Sequence, residues 1–90
     1  MVFGGPAAAV ERLIARVETA GLPGGIENSL TSKLDRALGL LARGNTTGAT
    51  GKIGDFIDQV EAQSGKQIDK ADADLWIAAA ETILDILDTS

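Results

Sequence analysis

Catalysis near neutral pH needs a side chain that can take up or release a proton there, or a nucleophile that a neighbour can activate. This chain has no histidine, no cysteine and no tyrosine. Ser29, Ser32 and Ser64 stand in no nucleophile-elbow context, so a lysine or a carboxylate would have to activate them. Asp55, Asp58, Asp72 and Asp74 could supply the two carboxylates that glycoside hydrolysis requires. A short aliphatic chain offers no obvious cleft in which one of that pair would stay protonated. The residues therefore predict no enzyme.

Ligand motifs fare no better. Gly48-Ala49-Thr50-Gly51-Lys52 invites comparison with a phosphate-binding loop, but the first glycine of such a loop would fall at Thr46. Ile53 also stands where that loop needs Ser or Thr, and no apolar strand precedes it. Asp69, Asp72 and Asp74 suggest a calcium loop until they are counted: the sixth position is Asp74 instead of glycine, and the twelfth is Ala80 instead of glutamate. Helix capping accounts for these aspartates better. No cofactor and no metal site are expected. Asn45-Thr46-Thr47 is formally a glycosylation acceptor, accessible if it lies in a turn. The aromatics are Phe3, Phe56 and Trp76, which leaves Trp76 as the one plausible platform for a sugar ring and disfavours glycan binding.

Ninety residues make one domain with a small core. A 44% share of hydrophobic residues beside 23% charged ones marks a folded chain with an aliphatic interior. The net charge of −5 is uneven. The first half carries slightly more cations than carboxylates, whereas beyond Asn45 the cations are only Lys52, Lys66 and Lys70 against a large excess of acids. With no clustered basic run, nucleic acid and anionic membrane surfaces are not expected partners. No run approaches the ~20 apolar residues that span a bilayer, so membrane insertion is not expected. The opening Met1-Val2-Phe3-Gly4-Gly5-Pro6 has neither a charged nor an apolar signal region, and reads as a start placed on an excised domain.

Gly21, Gly44 and Gly65 each close a stretch of helix-period apolar residues, and divide the chain into four segments of similar length. The expected helices cover approximately residues 6–20, 26–43, 47–64 and 70–88. Pro6 suits the first turn of the first helix. Pro23 with Gly24-Gly25 separates it from the second, which should begin at Ile26. Thr46 or Thr47 is the expected cap of the third, whose Gly48, Gly51 and Gly54 suggest either a close neighbouring helix or a start delayed to about Gly51. Asp69 should cap the fourth, with Ile68 stapling its entry. The connections are short, so neighbouring helices should be antiparallel, giving an all-α up-down-up-down four-helix bundle. Its expected core is Val10, Leu13, Val17, Leu30, Leu34, Leu38, Leu41, Phe56, Ile57, Val60, Leu75, Ile83 and Leu87.

On the fourth helix the widest apolar face runs through Leu75, Trp76, Ala79, Ala80, Ile83, Ile86 and Leu87. Ile77 and Leu84 then fall about 100° or more from its centre. They are ordinary exposed apolar residues, or complete the packing against helix one or three, or form an apolar strip for a neighbouring domain or a second copy. Glu81, Asp85 and Asp88 lie beside them, near a helix C-terminus whose dipole disfavours acids. These five residues are the candidate interaction surface.

From about Val10 to Leu87 the chain resembles a known family. The resemblance rests on Gly21-Leu22-Pro23-Gly24-Gly25-Ile26-Glu27-Asn28-Ser29-Leu30 leading into Lys33-Leu34, and on Gly44-Asn45. It continues through Phe56-Ile57-Asp58-Gln59-Val60-Glu61-Ala62-Gln63 with Gly65-Lys66, then Ala71-Asp72, Leu75 and Ile77-Ala78. These blocks are similar to the FIMAH domain, a small helical module of multidomain secreted bacterial and archaeal proteins. The glycines at 48, 51 and 54 depart from that pattern, as does Trp76, where an aliphatic is more usual. The resemblance implies a non-catalytic accessory domain attached to a hydrolase or an adhesin-like chain, extracellular or at the cell surface. It implies no catalytic residues, and reads Asn28-Ser29 and Gln59 as capping and interhelical hydrogen-bond residues. The expected partner is a neighbouring domain of the same chain or another protein. The alternative is a free-standing helical binder or regulator that acts on a partner or as a weak homodimer.

Overall fold

The computed structural model describes residues 5–89, so Met1, Phe3 and the rest of the opening segment lie outside the described residues. Four helices follow one another: α1 (Gly5–Glu18), α2 (Gly24–Ala42), α3 (Thr46–Gln63) and α4 (Lys70–Thr89). Each helix packs on its neighbours in the chain, and α1 closes the ring against α4. The result measures 38 × 23 × 20 Å, the proportions of four short helices laid side by side. Opposite ends meet throughout. Ser29, early in α2, bonds to Gln59, late in α3; Thr46 and Thr50 of α3 share a groove with Leu84 and Leu87 of α4. Thr19 and Ala20, just past α1, share another with Asp72 and Leu75 at the start of α4. That pairing of ends is the one antiparallel neighbours produce.

The turns explain where each helix stops. Gly21, Gly44 and Gly65 all have φ between 75 and 77°. At Gly44 the left-handed residue lets Asn45 N–H reach back to Leu40 O (2.8 Å) while Gly44 N–H reaches Leu41 O (3.0 Å), which satisfies two carbonyls at the end of α2. α1 stops two residues earlier than the expected Ala20, with the Thr19 hydroxyl folded back onto Ala15 O at 3.0 Å. Past α3, Gly65 turns the chain so that its N–H meets Ile68 O at 2.8 Å and Ile68 N–H meets Gln63 O at 3.1 Å.

Two helix starts differ from expectation. α2 begins at Gly24 instead of Ile26, because Pro23 (φ −55°, ψ 141°) serves as its N-cap and Glu27 N–H bonds to Pro23 O at 3.0 Å. First-turn N–H groups have no intrahelical acceptor to lose, so two glycines there do not prevent the helix. Asn28 therefore lies within α2 and caps nothing. α3 begins at Thr46, and its cap is Asn45 rather than either threonine. The Asn45 side chain accepts from Gly48 N–H at 2.9 Å.

Gly48 is a glycine for that reason. A Cβ built there would come within 3.0–3.1 Å of the Asn45 side chain. Gly51 and Gly54 are different: a Cβ at either would meet nothing within 4 Å. The expectation that they admit a close neighbouring helix is thus corrected. The helix runs straight through them because Ala49, Ile53, Phe56 and Val60 are fully buried and hold it by packing.

The core is apolar throughout: among the described residues no polar or charged side chain is buried. Val10, Leu13, Val17, Leu30, Leu34, Phe56, Val60, Ile83 and Leu87 are buried as expected. Leu38, Leu41 and Ile57 lie partly buried against them. Leu75 does not belong: it is 58% exposed. The buried face of α4 is Ala73, Trp76, Ala80, Ile83 and Leu87, alternating steps of three and four. Ile68 and Ala73, the two positions of a hydrophobic staple around the Asp69 cap, are both fully buried.

Candidate functional site

The misplacement of Leu75 rotates the whole of α4. Taking Ala80 as the centre of the buried face and 100° per residue, Ile77 and Leu84 lie only about 40–60° away. Both are partly buried and packed against the core. Leu84 lines the groove shared with Thr46, Thr47 and Thr50 of α3. The expected centre, drawn through Leu75 and Ile86, was displaced by roughly 70° toward α1. This side of α4 is apolar over more than half its circumference, so spacing alone could not locate the middle of it.

Glu81, Asp85 and Asp88 are exposed. By the same geometry they stand about 80–140° from Ala80, beside Ile77 and Leu84 on the side toward α3. The structure therefore keeps the five candidate residues adjacent but changes their character. Two of them are the inner edge of the bundle wall, and three form an acidic outer margin. On the opposite flank Leu75 projects beside a groove lined by Arg16, Thr19, Ala20, Asp72 and Trp76. Trp76 is itself 3% exposed, so its ring is core and offers no platform to a sugar.

The aspartates at the start of α4 have local roles. Asp69 Oδ1 accepts from Ala71 N–H at 3.1 Å, which is the cap. Asp74 pairs with Lys70 one turn away at 3.0 Å, both largely exposed. Among the described residues no three His, Cys, Asp or Glu side chains converge as a metal site. No helix there is long and apolar enough to cross a membrane.

Polar side chains of different helices meet between α2 and α3. Ser29 donates its hydroxyl to Gln59 Oε1 at 3.0 Å, the interhelical role expected for that pair. Lys33 Nζ donates to Ser29 Oγ at 3.1 Å. Ser29 and Lys33 line a groove of about 200 Å³ between α2 and α3 together with Ser32, Arg36, Lys52 and Asp55, and Gln59 supports Ser29 from beneath it. The signal was available on α2, where Ser29, Ser32, Lys33 and Arg36 repeat at i, i+3, i+4 and i+7. Lys52 joins them only once α3 is laid antiparallel to α2.

Four amphipathic helices around an apolar core, with their charged groups on the outside, define a small all-α module. The chain belongs to the FIMAH domain family, whose profile matches residues 7–85. Comparisons with curated proteins and with solved structures found no match. Family and fold agree on a small helical domain, and the family is one of accessory domains.

Proposed function

We propose that this domain is a non-catalytic accessory module of a larger secreted or cell-surface protein, and that it holds a neighbouring domain or another protein against α4. Membership of the family supports the accessory role. The observation that carries the choice of α4 is its acidic margin: Glu81 and Asp88 are exposed on one flank, and Asp88 stands in the last turn of the helix, where the dipole disfavours it. A basic patch on a partner would offset that cost, and the exposed edges of Ile77 and Leu84 would add apolar contact at the rim.

The test compares the domain alone with the domain joined to its native neighbours, read by amide chemical shifts. Shifts concentrated on residues 77–88, and abolished by Glu81→Lys with Asp88→Lys, are the expected result. Superimposable spectra would overturn the α4 contact, and a native reading frame that encodes no other domain would overturn the accessory reading. Concentration-dependent shifts of the domain alone, on those same residues, would replace the partner by a second copy of this chain.

A further inference from the structure

The geometry points to an oxyanion site in the α2–α3 groove, where Lys33, Arg36, Lys52 and the Ser32 hydroxyl hold a sulfate or phosphate group. That group is either a free ion or an ester on a polysaccharide. The groove goes beyond the α4 surface and does not depend on it.

Three features set this place apart from ordinary surface lysines. First, its charge has the wrong sign for the chain. The groove gathers Lys33, Arg36 and Lys52 around one carboxylate, Asp55, in a protein of net charge −5. Second, the cations are not neutralised from within. Lys70 and Asp74 pair at 3.0 Å when given one helical turn of separation. Asp55 lines the same groove as the three cations, yet among the described residues none of them forms an ion pair with it. Third, the floor is ordered. Lys33 is held by Ser29, and Ser29 by Gln59, so the ammonium is fixed in place with two of its three donors still available. Lys33 and Lys52 are half-buried, which keeps their charges less screened than those of free surface side chains.

The chemistry selects the ligand. Lysine ammonium groups, a guanidinium fork and a hydroxyl are all donors, and a tetrahedral oxyanion presents acceptors in every direction. The groove's volume of about 200 Å³ suits one such group and its first linkage. No aromatic lines it, so a neutral sugar has nothing to stack on. Asp55 is the built-in competitor, and it gives the proposal a sign that can be checked.

The experiment is an amide and side-chain NMR titration of the whole 90-residue chain with sodium sulfate. Sodium chloride holds the ionic strength constant. Saturable shifts confined to the surroundings of Ser32, Arg36 and Lys52, with a dissociation constant of roughly 1–10 mM, are expected for a few partly exposed ion pairs. Arg36→Gln with Lys52→Gln should weaken binding about tenfold, and Asp55→Asn should tighten it about threefold. Lys66→Gln with Lys70→Gln removes the same charge elsewhere and should leave the affinity unchanged. Unperturbed α1 and α4 signals in each variant establish that the bundle is intact. A second arm uses a sulfated oligosaccharide and its unsulfated counterpart. Binding at least tenfold tighter than free sulfate assigns the ester, and equal binding assigns the free ion. Linear shifts matched by chloride, shifts spread equally over Arg12 and Arg16, or equal losses in both double variants would overturn the site.

Discussion

α3 and α4 relate local signal to burial in opposite ways. α3 has the weaker sequence: three glycines in its first half, and few large apolar residues. Yet its stripe of Ile53, Phe56 and Val60 is buried as the spacing requires, because a narrow stripe admits only one orientation. α4 has a strong cap and apolar residues around most of its circumference, and there the buried face differs from the one the spacing predicts, with Leu75 outside it. The lesson is that abundance of apolar residues establishes a helix, whereas contrast between its faces establishes how that helix is turned. Small residues carry the missing information. Ala73 and Ala80 are fully buried, and between them they mark the line along which α4 meets the core.

The sharpest way to break this comparison is to truncate matched positions. Phe56→Ala on α3 and Ile83→Ala on α4 remove side chains that are 0–1% exposed. They should cost about 3–5 and 2–5 kcal/mol respectively. Leu75→Ala, although the spacing of α4 predicts a core position there, should change stability by less than about 0.5 kcal/mol. Urea midpoints of the three variants, at unchanged m-value, measure this directly. A Leu75→Ala loss comparable with that of Ile83→Ala would restore the rotated orientation of α4 and remove the basis for placing Glu81, Asp85 and Asp88 at its outer margin.

What could be read from the sequence divides along the same line. Helix number and the stopping role of Gly44 were legible, because each depends on residues within one or two turns. The cores of α1 and α2 were legible wherever one apolar stripe stood against charged residues, as with Val10, Leu13 and Val17 beside Arg12 and Arg16. Pro23 misled because its usual meaning as a breaker hides its other use as the residue just before a helix. The α2–α3 groove was out of reach for a different reason. Lys52 is sixteen positions or more from Arg36 and Lys33 along the chain, and periodicity on one helix says nothing of the residue opposite on another. That Glu81, Asp85 and Asp88 lie on an exposed face was legible, but the place of Ile77 and Leu84 beside them turned on the orientation that spacing left open.

The cap of α3 should show a smaller effect. Asn45→Ala removes the acceptor of Gly48 N–H and should cost about 1 kcal/mol, within a range of roughly 0.5–2. Asn45→Asp keeps an acceptor and adds charge at the positive end of the helix, so it should hold or slightly raise stability. Thr46→Ala and Thr47→Ala should do neither, since their hydroxyls do not supply the cap. Thermal midpoints suffice to separate these variants, at about 4–8 °C per kcal/mol for a domain of this size. Loss at Thr46 matching that at Asn45 would return the cap to the threonine.

The smallest effects come from the glycines, and they differ in sign. Gly51 and Gly54 sit in the body of α3 with open space where a Cβ would go. Replacing either by alanine adds no contact and removes backbone freedom from the unfolded chain, so each should stabilise by about 0.5–1 kcal/mol. Gly48 has helical surroundings too, but there a Cβ would press to within 3.0–3.1 Å of the Asn45 side chain. Alanine at that position gains the same entropy and then displaces the capping carbonyl from the amide it accepts. The two contributions are of similar size, so Gly48→Ala should be near neutral or destabilising. The double variant Asn45→Ala with Gly48→Ala separates them. With the cap already gone, alanine at 48 should recover the full gain seen at 51 and 54. If Gly48→Ala stabilises as much as Gly51→Ala in the parent chain, the cap does not constrain this glycine and the explanation of its place in α3 fails.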